Sequence, residues 1–186
     1  MTEQQTTALK EIFDRARIRK FANDTKTVWA GFDDERFFAL ATDNLDDLGI
    51  MQRMRRVAEA FDATLPDEYA QALSILADLA PMIQHGFASI TLCEFVVIRG
   101  MSDFDRSMQA LHLFTRYGSA EFAIRHFLKA DPQRTLMVMR EWSADENEHV
   151  RRLASEGCRP RLPWSFQFRE AVADPSLTMP ILEALR

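Results

Sequence analysis

The side chains best suited to chemistry lie close together between residues 152 and 164. Arg152 and Glu156 are four residues apart, so a helix places both on one face. A proline-containing loop then carries Arg159, Arg161 and Trp164. Guanidinium groups bind phosphates, and a carboxylate in the last turn opposes the helix dipole, a departure expected at functional sites. A purely structural interpretation also exists, in which the three arginines hold Glu156 and Trp164 packs to lock the loop.

An amphipathic helix is predicted to position this cluster. Its apolar residues recur at helical spacing: Val150, Leu153 and Ala154. An acidic first turn indicates that the helix begins near Asp145, and Gly157 is expected to end it because glycine tolerates the left-handed conformation. Pro160 and Pro163 cannot continue a helix, so they stiffen the loop that follows. The apolar stripe and the charged face are therefore separated.

Composition indicates one globular domain. The chain has 186 residues, of which 47% are hydrophobic and 27% charged, values typical of a protein with a real core. Cys93 and Cys158 lack metal-binding spacing, and the N-terminus has no signal-peptide pattern, so we expect a cytoplasmic protein. The longest apolar run, residues 87–98, is interrupted by Glu94 and is too short to cross a bilayer. No membrane-spanning segment is expected.

The charge is unevenly distributed along the chain. The net charge of −5 argues against a basic nucleic-acid-binding domain. Residues 116–169, however, contain 10 Lys and Arg against 7 Asp and Glu, whereas the sections on either side are net acidic. Any contact with nucleic acid should therefore use this basic section, with the acidic N-terminal section facing away.

Apolar periodicity predicts one helix after another, with few glycines or prolines and no useful alternating pattern. Helices are predicted at residues 7–21, 33–41, 46–61, 66–79 and 87–99. Pro66 is expected in the first turn of its helix, where its missing N–H is not needed. Residues 87–99 are rich in β-branched side chains, but a lone strand among helices would have no partner. The predicted fold class is all-α.

An internal repeat appears in the C-terminal part. Segments 131–139 and 174–182 share Asp-Pro, a threonine and the apolar positions that follow, and each should start a helix that another helix precedes. Helix pairs that repeat at about 40–47 residues are typical of HEAT and armadillo arrays. We therefore predict a right-handed α-solenoid of HEAT-like repeats.

The repeat also defines the expected domain organisation. Residues 1–186 should form one domain, with N-terminal helices at 1–115 and repeats carrying the functional face at 116–186. The second unit has an insertion at residues 158–173. In helical arrays, insertions lie on one face, which is often the binding face.

Three blocks of sequence carry a family resemblance. They are Phe114-Thr115, residues 119–128 (SAEFAIRHFL) and residues 150–164 (VRRLASEGCRPRLPW). Together they resemble the AlkC-type DNA alkylation repair proteins, relatives of the AlkD DNA glycosylases. The similarity runs from about residue 61 to the end. It departs from the family pattern at His126, where proline is expected, and at Cys158, where threonine is expected.

The resemblance implies a base excision repair glycosylase that hydrolyses the N-glycosidic bond of N3-alkylated bases, such as 3-methyladenine and 3-methylcytosine, in double-stranded DNA. A cationic base leaves readily, so the enzyme needs a carboxylate beside the oxocarbenium-like sugar and the attacking water. The implied catalytic residues are Glu121, Glu156 and Trp164. The implied DNA-binding residues are Arg152, Arg159 and Arg161. We expect a monomer without metal or cofactor.

Glu121 also has a structural interpretation. It lies in the first turn of a predicted helix, where an acidic side chain is favoured, and Ser119 can cap that helix. It can also pair with Arg125 at i+4. The residue pattern alone favours this structural role, whereas the resemblance favours catalysis.

Family members continue into further repeats that contribute an essential aspartate. The resemblance therefore also predicts a truncated chain that binds DNA weakly and excises little or no base. The sequence also has features of two other functional classes. A HEAT-like array can be a non-catalytic scaffold for protein or DNA. The spacing of Glu146 and His149 occurs in ferritin-like di-metal bundles, but that fold needs a second such motif and two more glutamates.

Overall fold

The computed structural model describes residues 9–186, and within this range the chain is helical with no strand. The N-terminal helices are α1 (Arg15–Val28), α2 (Asp34–Thr42), α3 (Ile50–Thr64), α4 (Tyr69–Ile83), α5 (Gly86–Arg99) and α6 (Phe104–Phe114). The C-terminal helices are α7 (Glu121–Ala130), α8 (Pro132–Trp142), α9 (Glu148–Gly157), α10 (Arg169–Ala173) and α11 (Met179–Ala184). Short 3-10 turns lie at Glu11–Phe13, Leu45–Asp47 and Pro175–Leu177. The predicted all-α fold class is confirmed.

Helix α5 is the centre of the N-terminal part. It packs against α3, α4, α6 and α7, and every residue from Ala88 to Val97 is buried. Burial on all sides explains why its sequence lacks a polar face, and the helix predicted there is confirmed. A cluster of buried phenylalanines fills the neighbouring core: Phe21, Phe32, Phe37 and Phe61. No helix in the described residues is long and apolar enough to span a membrane.

Capping side chains move several helix boundaries from their predicted positions. Asp14 caps α1, so this helix starts later than the predicted segment 7–21, whose first two residues lie outside the described range. Helix α3 also starts later than the predicted segment 46–61, because a 3-10 turn precedes it. Glu68 caps α4, which leaves Pro66 ahead of the helix and not in its first turn. The helix predicted at 33–41 is confirmed as α2.

The C-terminal helices stack as pairs. Helix α7 packs on α8, α9 packs on both, and α11 packs on α8 and α9, which confirms the predicted helical-repeat arrangement. Asp131 caps α8, and Asp174 caps the 3-10 turn before α11, each by accepting a hydrogen bond from a backbone N–H. The predicted insertion consists of residues 158–168, here called the insertion loop, followed by the five-residue α10.

Helix α9 differs from its prediction at both ends. Asn147, and not Asp145, caps its start by accepting a backbone hydrogen bond. Gly157 is its last residue, and no described glycine has a positive φ, so the predicted left-handed ending is wrong. Glycine is needed here for space, because a Cβ would lie 2.7 Å from Ile124 Cγ2 and 3.1 Å from Met139 Cε. Helix α9 therefore approaches α7 and α8 closely at this point.

Candidate nucleic-acid interface

Glu121 is the first residue of α7 and is only 9% exposed. Arg152 of α9 reaches it, with 2.8 Å between Arg152 Nη1 and Glu121 Oε1. The contact brings the two charges together without hydrogen-bond geometry, and Oε1 has no hydrogen-bond partner among the described residues. The expected pair between Glu121 and Arg125 is wrong, because Arg125 turns toward the insertion loop and binds carbonyl groups there.

Glu156 lies in the last turn of α9 and pairs with Arg159, with 2.8 Å between Arg159 Nη2 and Glu156 Oε1. Arg152 lies one turn earlier on the same face. Glu121, Arg152, Glu156 and Arg159 thus form a row from the start of α7 to the end of α9, here called the ion-pair strip. Of the three arginines in the structural interpretation, Arg159 alone forms an ion pair with Glu156 in the described chain.

In the ion-pair strip the cations face solvent and the anions lie beneath them. The side chains of Arg152 and Arg159 are 57% and 54% exposed, whereas those of Glu121 and Glu156 are 12% and 20% exposed. Only the arginine of each pair is open to solvent, so a group that arrives from solvent can contact the guanidinium without first reaching the carboxylate. Arg161 is also exposed and forms no ion pair with a described residue. A phosphate that approaches from solvent therefore meets guanidinium groups first.

Trp164 occupies a backbone conformation that usually belongs to glycine. It is the third residue of a turn closed by the Ser165 N–H, which donates to the Leu162 carbonyl at 3.2 Å. Pro163 suits the second position of such a turn, but the φ of Trp164 is 63°. A non-glycine residue in this region costs on the order of 1–3 kcal/mol. Strained residues cluster at functional sites, so the strain indicates a function for the indole.

The indole of Trp164 is 56% exposed and supported from one side. Its edge packs on Phe87 at the start of α5, with ring centroids 6.2 Å apart. Trp164 also lines a cavity of about 350 Å³ with Phe122 and His126 of α7. Burial lowers the pKa of His126. Because Phe122 follows Glu121 in the chain, this cavity lies beside the α7 end of the ion-pair strip.

From the sequence, Arg125 is only a possible partner of Glu121, and its contact with the insertion loop is not predicted. Its side chain is fully buried, and its guanidinium donates hydrogen bonds to the carbonyl groups of Gly157, Arg159 and Phe166. No described carboxylate pairs with it, and burial lowers its pKa. A signal was present in the sequence, because Arg125 follows Ile124 on the buried stripe of α7, where an apolar residue is expected.

The motif that suggested a di-metal bundle has no supporting ligands. In the described residues, no group of three or more His, Cys, Asp and Glu side chains could hold a metal ion. Near this motif, His112 Nε2 lies 2.7 Å from Asp145 Oδ2. The hydrogen bond with His112 lowers the pKa of Asp145. This pair fastens the α8–α9 connection to α6.

Comparison with known proteins finds relatives of this chain, although no family model matches it. The chain is 39% identical over 178 residues to the uncharacterized protein YhaZ of Bacillus subtilis (strain 168), a match that covers 95% of this chain and 50% of YhaZ. It is 52% identical to Pseudomonas fluorescens alkylpurine DNA glycosylase AlkC, solved bound to DNA containing an abasic site analog. That match has a TM-score of 0.94 and covers 95% of this chain and 50% of AlkC. The chain thus spans about half the length of these relatives, and its resemblance to AlkC-type proteins is confirmed.

Proposed function

From this resemblance to AlkC, we propose that the chain carries the catalytic face of a DNA glycosylase of base excision repair. The proposed reaction is hydrolysis of the N-glycosidic bond of cationic N3-alkylated bases, such as 3-methyladenine and 3-methylcytosine, in double-stranded DNA. The similarity to a glycosylase bound to an abasic-site analogue, at 52% identity, is the observation that carries the proposal. We also propose that residues 1–186 form one HEAT-like domain, with N-terminal helices at 1–115 and the catalytic face in 116–186.

Glu121 and Glu156 are proposed to act on the sugar. An N3-alkylated base carries a positive charge and leaves without protonation, so the difficult part of the reaction is the oxocarbenium-like sugar. A carboxylate beside this sugar stabilises its charge and can accept a proton from the attacking water. Both carboxylates are largely shielded from solvent, at 12% and 20% side-chain exposure, which strengthens their interaction with a nearby cation.

Arg152 and Arg159 connect DNA binding to this chemistry. In the free protein, each guanidinium lies 2.8 Å from one carboxylate. A phosphate that binds the guanidinium instead leaves the carboxylate with its full charge beside the sugar. Arginine binds phosphate through charge-assisted bidentate hydrogen bonds, which offset the loss of the ion pair. Arg161 supplies a third phosphate contact.

Trp164 is proposed to pack its indole on the deoxyribose of the lesion. The strained φ of Trp164 makes it possible to separate the effect of the side chain on DNA binding from the effect of the residue on stability. Trp164→Gly relieves the strained φ, whereas Trp164→Ala retains it, so Trp164→Gly should be the more stable variant by about 1 kcal/mol in denaturant unfolding. Both variants should lose affinity for DNA to the same extent. Undiminished affinity in either variant would contradict the role of the indole.

Binding to defined duplexes tests the proposal directly. The chain is titrated against labelled duplexes that carry either an abasic-site analogue or an intact nucleotide at one position. We expect tighter binding to the abasic-site duplex, with an affinity that falls as salt rises because phosphate contacts release counterions. Equal affinity for the two duplexes, or affinity that does not depend on salt, would contradict the proposal and favour a HEAT-like scaffold for protein partners.

Base release is measured on duplexes that contain one 3-methyladenine or one 3-methylcytosine. Because the relatives are about twice as long, the assay uses both this chain and a chimera in which it replaces the matching half of AlkC from P. fluorescens. We expect little or no excision by the chain alone and clear excision by the chimera. A folded chimera that binds DNA but releases neither base would contradict the assigned reaction.

A further inference from the structure

We propose that Arg125 is the positioning residue of the insertion loop: its guanidinium holds both ends of this loop and thereby presents Trp164 and Arg159 to DNA. The DNA part of this inference rests on the proposed function, whereas the structural part does not. Arg125 itself is buried in α7 and does not reach the protein surface. It would therefore act through the loop and not by touching the substrate.

The hydrogen bonds of Arg125 span the loop. Nη1 donates to the Gly157 carbonyl at 3.2 Å and to the Arg159 carbonyl at 2.5 Å, at the beginning of the loop. Nη2 donates to the Phe166 carbonyl at 2.8 Å, near its end. No other described side chain donates to both ends. The Phe168 N–H also joins the two ends by donating to the Pro160 carbonyl at 3.0 Å. The planar fork of one guanidinium adds a second link, between segments that are seven residues apart in the chain.

The buried charge of Arg125 and the insertion loop stabilise each other. The Arg125 side chain is fully buried, no described carboxylate pairs with it, and its Nε has no hydrogen-bond partner among the described residues. A buried charge without a counter-ion is costly unless dipoles replace its hydration. Here the dipoles are the loop carbonyl groups. Removing the charge therefore removes the interaction that orders these carbonyl groups.

The turn that carries Trp164 is strained and has to be held in place by the residues around it. Leu162 and Phe168 are the buried apolar side chains on either side of Trp164, while Trp164 itself is exposed and has a φ of 63°. A strained conformation persists only where the surroundings over-determine it. The bond from Arg125 to the Phe166 carbonyl lies two residues after the strained position. It therefore restrains the segment between Trp164 and the buried Phe168.

Cysteine reactivity separates release of the loop from global unfolding. Cys158 is buried at the start of the loop, where burial raises its pKa to about 11, and Cys93 is buried in α5 as an internal reference. In Arg125→Met, we expect alkylation of Cys158 to rise about tenfold to a hundredfold while Cys93 stays protected, because hydrogen bonds to a charged group are lost locally. Arg125→Lys keeps the charge but not the planar fork, so its rate of Cys158 alkylation should lie between those of the unaltered chain and Arg125→Met.

Arg53→Met is the matched control. Arg53 is also buried, and it donates hydrogen bonds to the carbonyl groups of Leu48 and Lys10 in the N-terminal part. Its loss should leave the ratio of Cys158 to Cys93 labelling unchanged. Equal acceleration at both cysteines in Arg125→Met, or no acceleration at Cys158, would overturn the proposal. If Arg125→Met does not fold, Arg125→Lys decides by the same ratio.

A double-mutant cycle tests the DNA part. Arg125→Met and Trp164→Ala should each weaken binding to the abasic-site duplex, and their combination should lose less than the sum, because Arg125 acts through the loop that Trp164 belongs to. Fully additive losses would overturn this part. If the unaltered chain does not prefer the abasic-site duplex, the proposed function fails, while the cysteine ratio still decides whether Arg125 holds the loop.

Discussion

Two copies of one sequence motif give different structures in the C-terminal part. Asp131 ends α7 and caps α8 directly, and α8 continues for 11 residues. Asp174 follows the insertion loop and α10, and it starts a 3-residue 3-10 turn ahead of the 6-residue α11. The capping group is the same in both copies. The cap thus sets where each helical segment begins, and the two segments then differ in length.

The two helix pairs also differ in what they bury. Helix α8 buries Thr135, Met139 and Trp142, whereas α11 buries Ile181 alone. The uninterrupted pair, which consists of α7 and α8, contributes mainly to the core. The interrupted pair contains the insertion loop, on which Trp164 and most of the candidate DNA contacts lie. Binding residues are commonly found on loops that a rigid scaffold positions.

The largest stability effect is expected where the second pair meets the first. Gly157→Ala should lower the free energy of unfolding by about 1–3 kcal/mol, because its Cβ would press on Ile124 at 2.7 Å. Denaturant unfolding measures the change. Gly86→Ala is the control, since the nearest atom to its Cβ would be 3.9 Å away and its stability should not fall. If Gly157→Ala were as stable as the unaltered chain, the close approach of α9 would be incorrect.

A smaller effect distinguishes the two capping aspartates. Asp131→Ala should cost about 1 kcal/mol, because it leaves N–H groups of a long, packed helix without a cap. Asp174→Ala should cost clearly less, since its turn is short and exposed. Thermal or denaturant unfolding of the two variants provides the comparison. Equal losses would show that the second copy is as tightly coupled to the core as the first.

The smallest effect concerns a single phosphate contact. Arg161→Ala, in the insertion loop, should reduce the slope of log affinity against log salt by about 1 and leave the preference for the abasic-site duplex unchanged. Arg140→Ala removes an exposed arginine from the uninterrupted pair and should not alter the slope. Affinity measured across a salt series checks both variants. Identical slopes in Arg161→Ala and the unaltered chain would remove Arg161 from the interface.

Local rules predicted the helical fold better than they predicted the helix ends. Apolar periodicity was sufficient for α2, whereas the fully buried α5 was predicted as a helix because a lone strand would have no partner. Boundaries moved where a residue outside the expected pattern provided the cap, as Asp14, Glu68 and Asn147 do. Competing caps only a few residues apart cannot be ranked from sequence, because tertiary packing decides among them.

The site was predicted only as far as neighbours in the chain determine it. Glu156 and Arg159 are three residues apart, so their ion pair could be predicted from the sequence. The partner of Glu121, by contrast, is Arg152 from another helix, and the carbonyl groups bound by Arg125 lie 32 to 41 residues away. The positive φ of Trp164 was also hidden, because the pattern of such a turn normally shows glycine at that position.

The central claim is that this chain supplies catalytic carboxylates, and single-turnover base release by the chimera tests it most directly. Glu156→Gln keeps shape and hydrogen bonding but removes the charge, so release of 3-methyladenine should slow by about 10²–10³. The affinity for the abasic-site duplex should not fall, because the variant removes a negative charge near the phosphates. Glu141→Gln, at an exposed position on α8, is the matched control and should retain the full rate. If Glu156→Gln released the base as fast as the unaltered chimera, the catalytic role of the ion-pair strip would be contradicted.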